Sequence, residues 1–147
     1  MEFIKHYLDI TVFGVLGLMS IVALALVIER YLSYGRIRVQ RYAHIESLKL
    51  DINKGLPMIA TIASNAPYVG LLGTVFGIMI TFYDIGQSGQ IDTNSVMVGL
   101  ALALKATALG LLVAIPAMFF YNLLVAKAET IISHWKIEHQ TASIMTD

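Results

Sequence analysis

The sequence has no cysteine and little charge. The first absence excludes disulfides and every metal or redox site built on thiolates. The second sets the class of protein: charged residues make up 14% of the 147 and hydrophobic residues 57%, against about 25% and about 45–50% in soluble domains. Catalytic motifs are missing too. There is no Gly-rich phosphate loop ending in Lys-Ser/Thr, no His-Glu-x-x-His and no nucleophile elbow, so neither an enzyme nor a cofactor is expected. The net charge is zero, which gives no reason to expect a nucleic-acid partner. Four histidines, His6, His44, His134 and His139, lie outside the apolar runs. His134 and His139 are five apart, which puts them on different helix faces, and no metal site is expected from them.

What the chain does have is three long apolar blocks. Ile10 to Ile28 carries no charge over 19 residues; at 1.5 Å per residue it spans about 28 Å, close to the roughly 30 Å core of a bilayer. It is longer than the roughly 7–15 apolar residues of a signal peptide and ends at Glu29-Arg30, so it reads as a retained span. Residues 58–83 form a second block, in which Pro67 removes a backbone donor and is expected to bend the helix near Ala63. Residues 96–125 form a third, interrupted only by Lys105 and by Pro116, a second expected bend. This last block exceeds what a bilayer needs, so its end should project into water. The fold class is therefore all-α, a three-span integral membrane protein, with residues 1–147 a single membrane domain.

The connecting segments differ in charge. Residues 29–57 hold six Lys and Arg, and Ile37, Arg41, Ile45, Leu48 and Ile52 recur at helical spacing, which predicts an amphipathic helix closed by Gly55 and Pro57. Residues 84–95, with Asp84, Gly86, Gly89, Asp92 and Asn94, read as a short turn without Lys or Arg. Residues 126–147 read as a polar tail containing Trp135 and two lysines, and the N-terminal segment has one. Cytoplasmic loops carry the Lys/Arg excess. The first loop and the tail are thus expected to be cytoplasmic, and the N-terminus and second loop to face the other side.

Spans two and three contain more than lipid anchors need. Gly70, Gly73 and Gly77 share one helical face, as do Gly99, Ala103, Gly110 and Ala114. Small residues at such spacing let helix backbones approach closely where no hydrophobic drive exists between helices. Thr74 and Thr81 lie on one face of span two, and Thr107 lies near the small-residue ridge of span three. Spacing leaves two readings of these hydroxyls open: each bonds the carbonyl one turn back, or together they line a wet path. Lys105 lies about 15 Å into span three. A mid-span lysine marks function by default, with snorkelling as the structural alternative. No acidic residue falls inside any span, so a carboxylate partner for it would come from a terminus, a loop or another chain.

Residues 66–79, Ala-Pro-Tyr-Val-Gly-Leu-Leu-Gly-Thr-Val-Phe-Gly-Ile-Met, resemble the second-span signature of the ExbB/TolQ/MotA proton-channel family. Residues 106–117, Ala-Thr-Ala-Leu-Gly-Leu-Leu-Val-Ala-Ile-Pro-Ala, resemble its third-span signature, followed by Tyr121-Asn122. The resemblance implies a homo-oligomer, a pentamer, whose second and third spans line a central pore and extend into the cytoplasm. It implies an ExbD-like single-span partner inside the pore whose Asp carries the proton, and a TonB-like protein that receives the energy, all in a bacterial inner membrane. Thr74 and Thr107 match the threonines that face that Asp, and Thr81 is grouped with them as pathway lining. Where several relatives have a Glu, this chain has Leu102, and the resemblance carries over no role for Lys105. The short loop favours the ExbB branch over MotA. A TolQ-type role and a non-conducting scaffold are the alternatives.

Overall fold

The computed structural model describes residues 2–88 and 92–144. Among them are four α-helices: α1 (Glu2–Arg36), α2 (Ile45–Asn53), α3 (Leu56–Ser88) and α4 (Thr93–Ile144). A single 3-10 turn, Val39–Arg41, lies between α1 and α2. Three helices are long and apolar enough to cross a membrane. At 1.5 Å per residue α1 and α3 are each about 50 Å long and the 52-residue α4 is about 78 Å, so α4 outreaches a roughly 30 Å hydrocarbon core by more than its own span.

The helices extend past the apolar runs, and each extension has a local cause. Residues 126–144, read as a tail, continue α4 because Leu124, Ala128, Ile131, Ile132 and Trp135 prolong an apolar stripe. That stripe packs on Val27, Tyr34, Leu48, Ile52, Leu56 and Ile59. The turn between α3 and α4 is shorter than 84–95: Asp84 and Gly86 belong to α3, and Gly89 lies outside the described residues. Asp92 caps α4, its carboxylate accepting from the backbone N–H groups of Asn94 and Ser95 at 3.2 Å and from the Ser95 hydroxyl at 2.5 Å. These bonds hold the Asp92 carboxyl below its ordinary pKa, the Ser95 hydroxyl contributing most.

The loop corrects the expected amphipathic helix. Only Ile45, Leu48 and Ile52 of the periodic set lie on α2; Ile37 and Arg41 precede it. The chain is extended at Arg38, Tyr42 and His44. Tertiary bonds hold it so: the Trp135 indole N–H donates to the Tyr42 carbonyl at 2.9 Å, and the Tyr42 hydroxyl donates to Asp51 at 2.5 Å. The bond to Asp51, more than burial, raises the Tyr42 pKa above its ordinary value. The chain enters α3 through Gly55, whose φ of +81° is a left-handed conformation that favours glycine. Pro57 stands in the first turn of α3 and so starts that helix as well as ending the loop. Both Pro67 and Pro116 sit inside continuous helix.

Two kinds of interior result. At the loop end the core is bulky, with Leu48, Ile52 and Ile59 fully buried. At membrane level the buried residues are mostly small: Ala66, Ala106 and Ala114 with Val12 and Leu16 of α1, then Ala23, Ala63 and Ala117 with Ile62. The large residues of the same helices, among them Leu72, Leu104, Leu112 and Ile115, are exposed. That is the arrangement expected where lipid or another membrane helix, not water, meets the outside.

Candidate functional site

The closest helix contact is between α3 and α4. A Cβ on Gly70 would stand 2.5 Å from the Ala106 carbonyl oxygen, and one on Gly110 would stand 2.6 Å from the Ala66 carbonyl oxygen. Backbone cannot yield as a flexible side chain can, so the crossing at Gly70 and Gly110 tolerates no side chain. Gly73 and Gly77 abut the Ala106 and Ala103 methyls, and Gly99 abuts Thr81. Ala103 and Ala114 are buried.

This close approach brings two hydroxyls together. Thr74 Oγ1 and Thr107 Oγ1 are 2.6 Å apart. Thr74 also lies 3.0 Å from the Ala103 carbonyl oxygen and 3.4 Å from that of Gly70. In the simplest helical pattern Thr74 would donate to Gly70 and Thr107 to Ala103, each one turn back. Instead, the shorter carbonyl contact of Thr74 is with Ala103, across the helices. A hydroxyl has one proton. When Thr74 donates to Ala103, Thr107 must donate to Thr74, and the Thr107 lone pairs are left free to accept. When Thr74 instead donates to Thr107, the Thr107 proton is left free to donate. The pair can therefore accept from a protonated acid or donate to a carboxylate with no change of backbone.

The two threonines are not equivalent. Thr74 is buried, whereas Thr107 is half-buried. Of the two hydroxyl residues, Thr107 is the one with exposed surface. Spacing along one helix could not distinguish them, because the distinction depends on the register between two helices. Thr81 stands apart from the pair: its buried hydroxyl donates to the Gly77 carbonyl at 2.9 Å, one turn back.

Lys105 is exposed and on the far side of α4 from Thr107, and among the described residues it has no ion pair. Between α1 and the start of α4 lies an open cleft of about 500 Å³ that includes His6, Asp9, Gly99 and Leu102. Sequence reading had set His6 aside as lying outside the spans. Its approach to α4 depends on how the α1 N-terminus packs, for which the sequence carries no local signal.

Residues 23–137, which include both spans of the hydroxyl pair, match the MotA/TolQ/ExbB proton channel family. The chain belongs to this family. It is 51% identical over 137 residues to the biopolymer transport protein ExbB of Helicobacter pylori, covering 93% of this chain and 94% of that protein. It is 52% identical over 143 residues to ExbB of Aquifex aeolicus, covering 97% of each. The similarity to the Tol-Pal system protein TolQ of Pseudomonas aeruginosa is partial: 44% over 101 residues, 69% of this chain and 43% of that protein. The chain is thus a multi-pass membrane protein of the ExbB-type biopolymer-transport family, whose members are channel subunits, not enzymes.

Proposed function

We propose that this chain forms the wall of a proton channel in a bacterial inner membrane and converts proton-motive force into work for TonB-dependent import across the outer membrane. Five copies surround a pore lined by α3 and α4. An ExbD-like single-span partner stands in that pore and brings the carboxylate, and a TonB-like protein receives the energy. The N-terminus is periplasmic, and the first loop and the end of α4 are cytoplasmic, in keeping with six Lys and Arg in that loop and none in the turn between α3 and α4.

The observation that carries this reading is the Thr74–Thr107 pair. Proton transfer inside a membrane uses Asp, Glu or His, and neither α3 nor α4 has one at this depth. A hydroxyl pair with one half-buried member, able to accept or donate, is the complement of a carboxyl group supplied by another chain. Thr107 meets that group and Thr74 positions Thr107. The full-length similarity to ExbB proteins, against the partial similarity to TolQ, favours the TonB role over Tol-Pal.

Lys105 adds a second argument for assembly. On a lipid-facing surface it would cost about 2.5–3.5 kcal/mol on insertion scales, so its face of α4 meets another subunit or water. The Lys105→Met variant is expected to assemble normally and to change proton flux or partner retention; wild-type behaviour in both would return Lys105 to snorkelling. The reading as a whole is tested by reconstituting the chain in liposomes with and without its co-purified partner, and by weighing the intact complex. Proton flux only with a carboxylate-bearing single-span partner, at five copies to its complement, supports it. No flux in either case identifies a scaffold.

A further inference from the structure

The loop cations converge. A cleft of about 250 Å³ at the end of α1 is lined by Arg30, Ser33, Arg36, Arg38, Arg41 and Lys54. A single carboxylate lines it, that of Asp51, which already accepts from the Tyr42 hydroxyl. Outside it, exposed Glu29 pairs with Arg30 at 2.6 Å. With Glu29 and Asp51 set against the five cations, the open cleft keeps an excess of positive charge, and its like charges repel one another.

Membrane topology accounts for cations in this loop but asks only that they be on one side. Lys49 satisfies that requirement from outside the cleft, pairing with Glu46 at 3.8 Å on α2. Topology accounts neither for convergence on one cleft nor for Arg30. That residue is 7% exposed; one terminal nitrogen donates to the Asp51 backbone carbonyl at 3.2 Å, and the buried Nε has no partner. Arg30 is held in place by these bonds, and the four exposed cations Arg36, Arg38, Arg41 and Lys54 share its cleft, a grouping that suits an anion.

Depth indicates which anion. Arg30 is two residues beyond the apolar run that ends at Ile28, and Arg36 is about 9 Å further along the helix. The headgroup layer occupies roughly the 5–8 Å outside each face of the hydrocarbon core. Counted along α1 from Ile28, Arg30 falls inside that layer and Arg36, about 12 Å out, just beyond it, so the cleft stands at the layer's outer edge, within reach of long cationic side chains. We propose that it binds the phosphodiester headgroup of an anionic phospholipid on the membrane face that holds the loop. The guanidinium groups pair with phosphate oxygens, and the open cleft of about 250 Å³ admits a headgroup. The inference needs membrane insertion only and stands whether or not the chain conducts protons.

Native mass spectrometry of the full chain released from mixed phosphatidylglycerol and phosphatidylcholine bilayers tests it. The wild type should retain phosphatidylglycerol in preference to phosphatidylcholine. Arg36→Gln and Arg41→Gln, both at exposed residues, should each lower that preference about fivefold, or about 1 kcal/mol at tenfold per 1.4 kcal/mol. Lys49→Gln should leave it unchanged, and millimolar inorganic phosphate should not displace the lipid. Equal retention of the two lipids overturns the proposal. So does an equal loss in Lys49→Gln, which would reduce the effect to net charge, and so does displacement by phosphate, which would make the cleft a site for the free anion. Arg30→Gln is informative only where it folds; Arg36 and Arg41 keep the test decisive without it.

Discussion

The two halves of α4 are held by opposite means. Around Leu124 and Ala128 the helix buries bulky neighbours, Leu48, Ile52 and Ile59, under the short lid of α2. Around Gly110 and Ala106 it meets α3 through glycines, methyls and a pair of hydroxyls. The difference follows from the solvent. Beyond the membrane, water drives large side chains inward. Within it lipid is as apolar as leucine, so helices gain by close contact between small residues and by hydrogen bonds across the interface. The membrane-level contact is also the one that brings hydroxyls within reach of each other.

If this contrast is right, enlarging a residue should do most harm at membrane level, and truncation most harm at the loop end. The greatest loss is expected for Gly70→Val. Its side chain meets the Ala106 carbonyl, so monodisperse oligomer should be lost in size-exclusion chromatography, whereas Gly14→Val, with open space at that position, should retain it. Ile52→Ala, at the water-facing core, should cost about 2–5 kcal/mol, read as earlier thermal unfolding of the loop region. Trp135→Phe keeps an aromatic side chain, smaller than the indole, and removes the donor to the Tyr42 carbonyl; a loss of at least about 1 kcal/mol and faster amide exchange over residues 38–44 are expected. The smallest effect concerns the cap of α4. Asp92 has its pKa lowered in the fold, so its contribution is present above the ordinary carboxylate pKa and disappears as pH falls through the lowered value. Amide exchange corrected for intrinsic rate should therefore rise in the first turn of α4 under strong acid, and Asp92→Ala should remove that dependence.

The same contrast explains what could be read from the residues. The three spans were legible because an apolar run of bilayer length, uncharged in the first two and broken by one lysine in the third, has few other uses. Helical spacing grouped Gly70, Gly73 and Gly77, since periodicity within one helix is a local property. The break before α2 was not legible, because Ile37 and Arg41 fit the helical period, and the bonds that hold the segment extended come from Asp51 and from Trp135, 93 residues away. Nor was the helical state of residues 126–144, whose apolar stripe is diluted by charge and finds its partner only once α2 folds over it. For Thr74 and Thr107, spacing left open a choice between local bonding and a shared path, and family resemblance favoured the path. Their hydrogen bond requires the register of α3 against α4, which neither segment encodes alone. The convergence of the loop cations is of the same kind: their number is in the sequence, their cleft is in the fold.

Proton flux through liposomes containing the chain and its single-span partner, measured for Thr107→Val, Thr107→Ser and Thr74→Val with oligomer formation verified, tests the central claim most directly. Thr107→Val should lower flux at least tenfold, Thr107→Ser should preserve it, and Thr74→Val should fall between them, because Thr107 keeps its hydroxyl but loses its positioning partner. Wild-type flux in both valine variants would contradict the account and leave the hydroxyl pair a packing contact.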